Sequence, residues 1–320
     1  MRKLLLILPL FIFGCTPAFE ETPVSVVQCA DAPLSRASAS VFVLNDHAYI
    51  LGGRTEADWT YPDDFYRYNP KTDTWTRLDD LPFSGRSKMA VCTCNNIAYC
   101  GGGFAGEQND PASYKTDWWS FNGTQWTQLP DIPTKYTDGL ISFTLDDKIY
   151  VGYGYAHQWT AELFAFDTKT NTWSGNIQPD FTEINLGFGY AYAQQDDRVF
   201  AGLGFDTYNV NKWSEYDLAA NTWNKRADLP CRGGVFFACT TLTGRILLAG
   251  GRAFGGSLTT GSIYDHIWSY DIQNDKWSLC GHLPQPTENM IAFTINNTAY
   301  FGLGENADGQ RLNHLYRIQP

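Results

Sequence analysis

The stretch DDFYRYNPKTDTWTRLDDLP at residues 63–82 decides the fold, because four further copies of its pattern follow along the chain. Each copy has an aromatic run, a short polar turn and a second run that begins with a tryptophan. The five tryptophans are Trp75, Trp126, Trp173, Trp223 and Trp277. They are 51, 47, 50 and 54 residues apart, a period typical of proteins that repeat one small sheet.

Each repeat begins with an apolar hairpin whose strands are joined by a polar two-residue turn. The six turns are Asn45-Asp46, Asn95-Asn96, Asp146-Asp147, Asp196-Asp197, Thr243-Gly244 and Asn296-Asn297. Asparagine, aspartate and glycine tolerate the positive φ that such turns require. The second strand of every hairpin runs into glycine, which lets the backbone pack where a side chain would not fit. The glycine pairs are Gly52-Gly53, Gly101-Gly102 and Gly250-Gly251.

With its glycines, aromatic residues and tryptophan in this order, each repeat resembles a kelch repeat, and the resemblance covers residues 24–320. Three repeats carry Gly-x-Gly in place of Gly-Gly, a mild departure from the family pattern. The resemblance implies an all-β, six-bladed β-propeller of four-stranded kelch-type blades. It also implies that the glycines and the five tryptophans serve packing.

The two ends of the chain are predicted to share the last blade. There are six hairpins but only five tryptophan strands, and the chain stops after Leu315–Ile318, the third strand of blade six. Residues Val26–Pro33 align with Trp277–Pro284, so that Cys29 falls on Cys280. We therefore expect the N-terminal strand to close the ring, which removes exposed sheet edges.

The N-terminus MRKLLLILPLFIFGC has a basic start and an apolar run of ten residues, about half of what a membrane-spanning helix needs. Ile12–Cys15 resembles the bacterial lipobox, which implies cleavage before Cys15 and acylation of that cysteine. The predicted organisation is a signal peptide at 1–14, a lipidated tether at 15–23 and the propeller at 24–320. The protein would then be anchored in the cell envelope, in the outer membrane, periplasm or cell surface. An ordinary cleaved signal peptide is the alternative.

The charge of the chain limits the classes of partner that it is expected to bind. The formal net charge is −11, which disfavours nucleic acid and anionic lipid surfaces, so we expect membrane contact only through the lipid. Seven cysteines follow Cys15, an odd number that cannot all pair. The histidines and cysteines show no metal-ligand spacing, and we expect no metal, no cofactor and a monomeric protein.

In a four-stranded blade, the loops between the second and third strands and between blades open on one face, here called the long-loop face. Its loops are rich in aromatic side chains, on which sugar rings stack, and in arginines, which clamp carboxylates. The candidate ligand-binding residues are Arg54, Trp59, Arg86, Phe104, Tyr155, His157, Arg232, Arg252, Phe254, Glu288 and Glu305. Kelch units commonly use an arginine in the blade-to-blade turn for structure, so Arg36, Arg86 and Arg232 have that alternative role.

Three functions stay open at the level of sequence, because propellers host many unrelated activities. The first is a non-catalytic module that binds a glycan or a protein on the long-loop face. The second is a sugar-modifying enzyme such as a mutarotase or epimerase, since the chain distantly resembles kelch-type sialic-acid mutarotases. That chemistry needs an acid/base pair and an arginine clamp, for which Glu288 or Glu305 with Arg54 or Arg252 would serve. The third is a structural or assembly lipoprotein.

Overall fold

The computed structural model describes residues 23–55, 60–156, 158, 160–178, 188–257 and 260–319. Over these residues the chain forms six four-stranded antiparallel sheets and one short 3-10 helix, Pro111–Ser113. This confirms the predicted all-β, six-bladed propeller. The predicted signal peptide and tether, with Cys15, lie outside the described residues, as do Trp59 and His157.

The strands follow one another along the chain in six groups. Up to the second blade they are β1 (Ser25–Gln28), β2 (Ser40–Leu44), β3 (His47–Leu51), β4 (Phe65–Asn69), β5 (Thr74–Arg77), β6 (Ala90–Cys94), β7 (Ile97–Gly101), β8 (Trp118–Phe121) and β9 (Trp126–Leu129). Blades three and four contain β10 (Ile141–Leu145), β11 (Lys148–Gly152), β12 (Leu163–Asp167), β13 (Thr172–Trp173), β14 (Ala191–Gln195), β15 (Arg198–Gly202), β16 (Trp213–Asp217) and β17 (Thr222–Lys225).

The last third of the chain has the same strands with two small additions on the long-loop face. Blade five contains β18 (Ala238–Leu242), β19 (Arg245–Ala249), β20 (Arg252–Phe254), β21 (Gly261–Ile263), β22 (His266–Asp271) and β23 (Lys276–His282). Blade six contains β24 (Thr287–Glu288), β25 (Ile291–Ile295), β26 (Thr298–Gly302), β27 (Glu305–Asn306) and β28 (Leu315–Gln319). The pairs β20–β21 and β24–β27 are separate two-stranded sheets.

Three of the six hairpin turns have positive φ at both central residues, and the turns at Asp146-Asp147, Asp196-Asp197 and Thr243-Gly244 have it only at Asp146, Asp196 and Gly244. Asn45 and Asp46 have φ of 51° and 58°, and the turns at Asn95-Asn96 and Asn296-Asn297 repeat these values within a few degrees. Positive φ at both central residues matches the twist of the flanking strands. The hairpins therefore fix the register of the two inner strands of each blade.

The residue after each second strand keeps its left-handed backbone conformation even where it is not glycine. Gly52 has φ of 62°, and a Cβ there would lie 2.2 Å from the carbonyl oxygen of Arg86. In the Gly-x-Gly blades the equivalent residues are Tyr153, Leu203 and Leu303, with φ of 58°, 65° and 58°. The departure from Gly-Gly therefore changes the residue and keeps the bend.

The five repeat tryptophans pack each blade against the blade before it. The indole nitrogen of Trp75 donates a hydrogen bond of 2.9 Å to the carbonyl oxygen of Ala30, in blade six. Trp173 and Trp277 make the same bond to carbonyl oxygens of their preceding blades, at 2.8 and 2.9 Å. Trp223 reaches the hydroxyl of Tyr153, and Trp126 packs on aromatic rings of blades one and two.

The ring closes through both chain ends, as predicted. Strand β1 pairs antiparallel with β28, so that Val26 lies opposite Ile318 as Trp277 lies opposite Tyr270 in blade five. The sheet order of blade six is β1-β28-β26-β25. None of the helices in the described part of the chain is long and apolar enough to cross a membrane.

Two arginines of the blade-to-blade turns are buried and hold their own blades together. Arg36 donates to both carboxylate oxygens of Asp64 at 2.9 Å and to the carbonyl oxygen of Gly52 at 3.0 Å. Arg86 makes the equivalent two-pronged contact with Asp117. Each pair ties the entry of the first strand to the start of the third. Arg232, by contrast, is exposed.

Candidate functional site

Six structurally equivalent residues surround the mouth of the propeller on the long-loop face. Each follows the glycine bend of its blade and forms an antiparallel bridge to the residue that enters the first strand of a blade. In blade order these residues are Arg54, Phe104, Tyr155, Phe205, Arg252 and Glu305. The rim is therefore divided into an aromatic half in blades two to four and a charged half in blades five, six and one.

The charged half is a network of three arginines and two glutamates. Arg54 Nη2 lies 3.0 Å from Glu305 Oε2, and Arg311 Nη1 lies 2.9 Å from the same oxygen. Arg252 binds both oxygens of Glu288, through Nε at 2.8 Å and Nη2 at 2.6 Å. Glu288 and Glu305 are cross-strand neighbours in β24 and β27, so the two pairs adjoin.

The network has an excess of positive charge. With both carboxylates ionised, three arginines and two glutamates sum to +1, in a protein whose formal net charge is −11. Burial raises the pKa of the Glu288 carboxyl above its usual value, Arg252 opposes that rise, and the nearby Glu305 adds to it. Protonation of Glu288 would increase the positive charge further, so the network favours an anionic ligand.

One nitrogen of this network has unused hydrogen-bonding capacity. Arg311 donates through Nη1 to Glu305 and to the carbonyl oxygen of Gly309, but its Nε is buried with no hydrogen-bond partner among the described residues. Buried polar atoms are nearly always paired with protein or water. The Nε of Arg311 is therefore an unsatisfied donor beside Glu305 in the described part of the chain.

The aromatic half of the rim consists of two ring clusters. Phe104 packs edge-on against Tyr114 at 5.2 Å and against Tyr61 at 6.4 Å, and Tyr155 packs against this cluster. Phe205 lies 4.7 Å from Phe254, between ring centroids, across the neighbouring blades. Such apolar rings suit the faces of sugar rings.

Below the rim, the innermost strands enclose a central cavity of about 450 Å³. Lys88 and Asp138 line it, with Lys88 Nζ 3.6 Å from Asp138 Oδ1. The ammonium group also lies over the rings of Phe188 and Phe236, at 5.4 and 5.3 Å. Asp138 Oδ1 is buried and has no hydrogen-bond partner in the described parts of the chain. The cavity lining therefore includes a second polar pair, separate from the charged network.

The structure brings together four of the residues that the sequence selected, Arg54, Arg252, Glu288 and Glu305. Phe104 and Tyr155 lie in the aromatic half, and Phe254 of blade five packs against Phe205 of that half. Arg86 is occupied by Asp117, and Arg232 is exposed on its turn. Sequence reasoning missed Arg311, Lys88 and Asp138. Lys88 and Asp138 could have been found by aligning the repeats, since each lies near the entry to its blade's first strand.

Comparison with known proteins agrees with the architecture of a kelch-type propeller. A model of the KLHDC2/KLHL20/DRC7 kelch-repeats domain matches residues 18–183, and a kelch-motif model matches residues 233–284. The chain belongs to the kelch-repeat family.

Several curated relatives are similar over most of this chain. N-acetylneuraminate epimerase of Escherichia coli (strain K12) is 25% identical over 295 residues, which cover 86% of this chain and 75% of the epimerase. Kelch-like protein terF of Aspergillus terreus is 27% identical and Kelch-like protein 15 of Danio rerio 23% identical, each over 73% of this chain. The chain spans only 53% and 41% of the length of those two proteins.

The solved structure described as "Structure of YjhT" has the same fold. It superposes with a TM-score of 0.73 at 18% identity, over 91% of this chain and 99% of that chain. Together with the epimerase relative, this confirms the predicted distant resemblance to kelch-type sialic-acid mutarotases.

Proposed function

We propose that the long-loop face binds a sugar that carries a carboxylate and catalyses exchange between the anomers of that sugar. The observation that carries the proposal is the network in which Arg54 and Arg311 converge on Glu305 beside the buried pair of Arg252 and Glu288. Guanidinium groups bind carboxylates through directed, charge-assisted hydrogen bonds. The similarity to N-acetylneuraminate epimerase supports this substrate class.

Anomer exchange needs only two proton transfers and no cofactor. A base removes the proton of the anomeric hydroxyl, the bond between the anomeric carbon and the ring oxygen breaks, and an acid protonates the ring oxygen. The open form rotates and closes on the other face by the reverse steps. Glu288, whose pKa is raised by burial, is suited to hold the proton, and its cross-strand neighbour Glu305 supplies the second carboxylate of the acid/base pair.

The aromatic half of the rim supplies the remaining part of such a site. In blades two to four, aromatic residues take the rim positions that Arg252, Glu305 and Arg54 take in the other three blades. A carboxylated sugar bound at the arginines would therefore place its ring toward Phe104, Tyr155 and Phe205. A non-catalytic sugar-binding module is the second candidate, because stacking platforms and an arginine clamp serve binding alone equally well.

The proposal predicts both binding and catalysis of N-acetylneuraminate by the purified propeller. Exchange between anomers, followed by NMR, should be faster with the protein than without it. Glu305→Gln, which keeps size and hydrogen bonding but removes the charge, should reduce this acceleration at least about tenfold. Arg54→Gln should weaken binding about tenfold to a hundredfold, because one charge-assisted contact is lost.

Arg77→Gln is the matched control, since Arg77 is exposed and pairs with the exposed Asp80 nearby. It should change neither measurement. Binding without accelerated exchange would contradict the proposed catalysis and would favour the second candidate, a non-catalytic sugar-binding module. If Arg54→Gln lowers the melting temperature and leaves affinity unchanged, Arg54 serves blade packing and the proposed clamp is wrong.

We also propose that the chain is exported and anchored through a lipid on Cys15, on the strength of its basic start, apolar run and lipobox-like Ile12–Cys15. Metabolic labelling in a bacterial host with a fatty-acid analogue should mark the wild-type protein. Cys15→Ser should abolish the label, because the acylated sulfur is gone. A label that persists in the variant would contradict the lipoprotein proposal.

A further inference from the structure

Two histidines and an aspartate converge at the long-loop end of the outer strands of blade five. His266 begins β22, His282 ends β23, and the two are cross-strand partners. Asp265 Oδ1 lies 3.2 Å from His282 Nδ1 and 4.0 Å from His266 Nδ1. One ligand atom from each of the three residues can be chosen so that all lie within 4.8 Å of one another.

A break in the strand register produces this arrangement. Ile267 pairs with Gly281 while Trp268 pairs with Leu279, so Cys280 is an extra residue in β23. Such bulges re-aim the side chains that follow them and are common beside functional sites. Here the bulge accompanies an extension of β23 to seven residues, where the other outermost strands have two to four. The extension places His282 opposite His266.

The equivalent place in blade six has only part of this group. His314, directly before β28, is the equivalent of His266 at the start of β22. Asp31 is the equivalent of His282. His314 Nδ1 lies 3.0 Å from Asp31 Oδ1. This pair has one histidine and one carboxylate. The third group is specific to blade five.

We infer that Asp265, His266 and His282 form a binding site for a divalent transition metal, with zinc as the best match. Imidazole nitrogens and a carboxylate oxygen are ordinary zinc ligands, with bonds of about 2.0–2.2 Å. In a tetrahedral site the ligand atoms are therefore about 3.4 Å apart. The carboxylate oxygen lies 3.2 and 4.0 Å from the two imidazole nitrogens, and side-chain rotations would bring the three ligand atoms, all within 4.8 Å of one another, to this spacing.

The site would be open to solvent. The side chain of His282 is 54% exposed, and those of His266 and Asp265 are 36% and 37% exposed. Three protein ligands leave the fourth tetrahedral position to water. A metal at this point would join the two outer strands of blade five, close to Val24, whose amide donates a hydrogen bond of 2.9 Å to the carbonyl oxygen of Cys280.

Titration of the whole propeller with zinc, followed by calorimetry under thiol-reducing conditions, tests the site. The wild-type protein should bind one zinc ion, and His266→Gln or His282→Gln should each weaken binding on the order of tenfold or more, because one of three ligands is lost. His314→Gln is the matched control and should leave binding unchanged. The exposed position of these histidines means that all three variants should keep the wild-type melting temperature.

Cobalt is a second probe, because the free cysteines could also bind zinc. Cobalt bound by nitrogen and oxygen ligands should give visible bands without the ultraviolet charge-transfer band of a thiolate ligand. A thiolate band, zinc binding that is equal in the wild type and both blade-five variants, or no binding at millimolar zinc would each overturn the inference. None of these outcomes depends on sugar binding at the mouth.

Discussion

A chain that begins at residue 31 should unfold at a much lower temperature and urea concentration than one that begins at residue 23. The shorter chain lacks β1, whose four residues pair with β28, and with it the burial of Val24 and Val26 against the core shared with blade five. It also lacks Ala30, the acceptor for Trp75. The lost hydrogen bonds and apolar burial together should cost about 5 kcal/mol or more of unfolding free energy.

Urea unfolding followed by tryptophan fluorescence would measure this loss. A synthetic peptide covering residues 23–33 offers a matched test, because a ligand that binds only the folded chain raises its stability in proportion to concentration. The peptide should restore part of the lost stability to the shorter chain and leave the longer chain unaffected. Equal midpoints for the two chains would mean that β1 does not stabilise the ring.

Asp64→Ala should destabilise the propeller by about 3–5 kcal/mol, because it leaves the guanidinium of Arg36 buried without its counter-charge. The side chain of Arg36 is only 2% exposed, and two of its hydrogen bonds go to Asp64. Replacement of both partners by apolar residues, Arg36→Met with Asp64→Leu, should recover much of this loss. The comparison separates the cost of an unpaired charge from the contribution of the pair.

The surface pair of Lys71 and Asp46 is the control for this experiment. Its side chains are 70% and 50% exposed, so Asp46→Asn should change the unfolding free energy by no more than about 0.5 kcal/mol. Asparagine also tolerates the positive φ of 58° at this position. A similar loss in Asp46→Asn and Asp64→Ala would contradict the importance of burial.

The fold could be predicted almost completely from the sequence because all six blades repeat the turn and glycine signals and five of them repeat the tryptophan. Ring closure followed from counting strands and from the alignment of Val26 with Trp277, and the observed register agrees with it. The long-loop face also followed from the order of the strands. These features depend on local patterns that recur about every 50 residues.

The internal pairing of the candidate site could not be predicted in the same way. Arg54 and Glu305 meet although 251 residues separate them, and Arg311 joins them from a loop that carries no repeat signal. The proposed metal site at the two histidines of blade five could not be predicted from the sequence for a related reason. Their spacing fits no sequence motif, and only the bulge at Cys280 places His282 opposite His266.

Closure by both termini also determines when the protein can fold. Strand β1 is synthesised first, but its partner β28 ends at Gln319, so roughly 290 residues must be added before the two can pair. At a synthesis rate of about 5–20 residues per second, this interval is about 15–60 s. Throughout it the nascent ring has an unpaired strand edge, which exposes it to association with other chains. Protection of that edge until synthesis is complete is therefore a requirement for efficient production of this propeller.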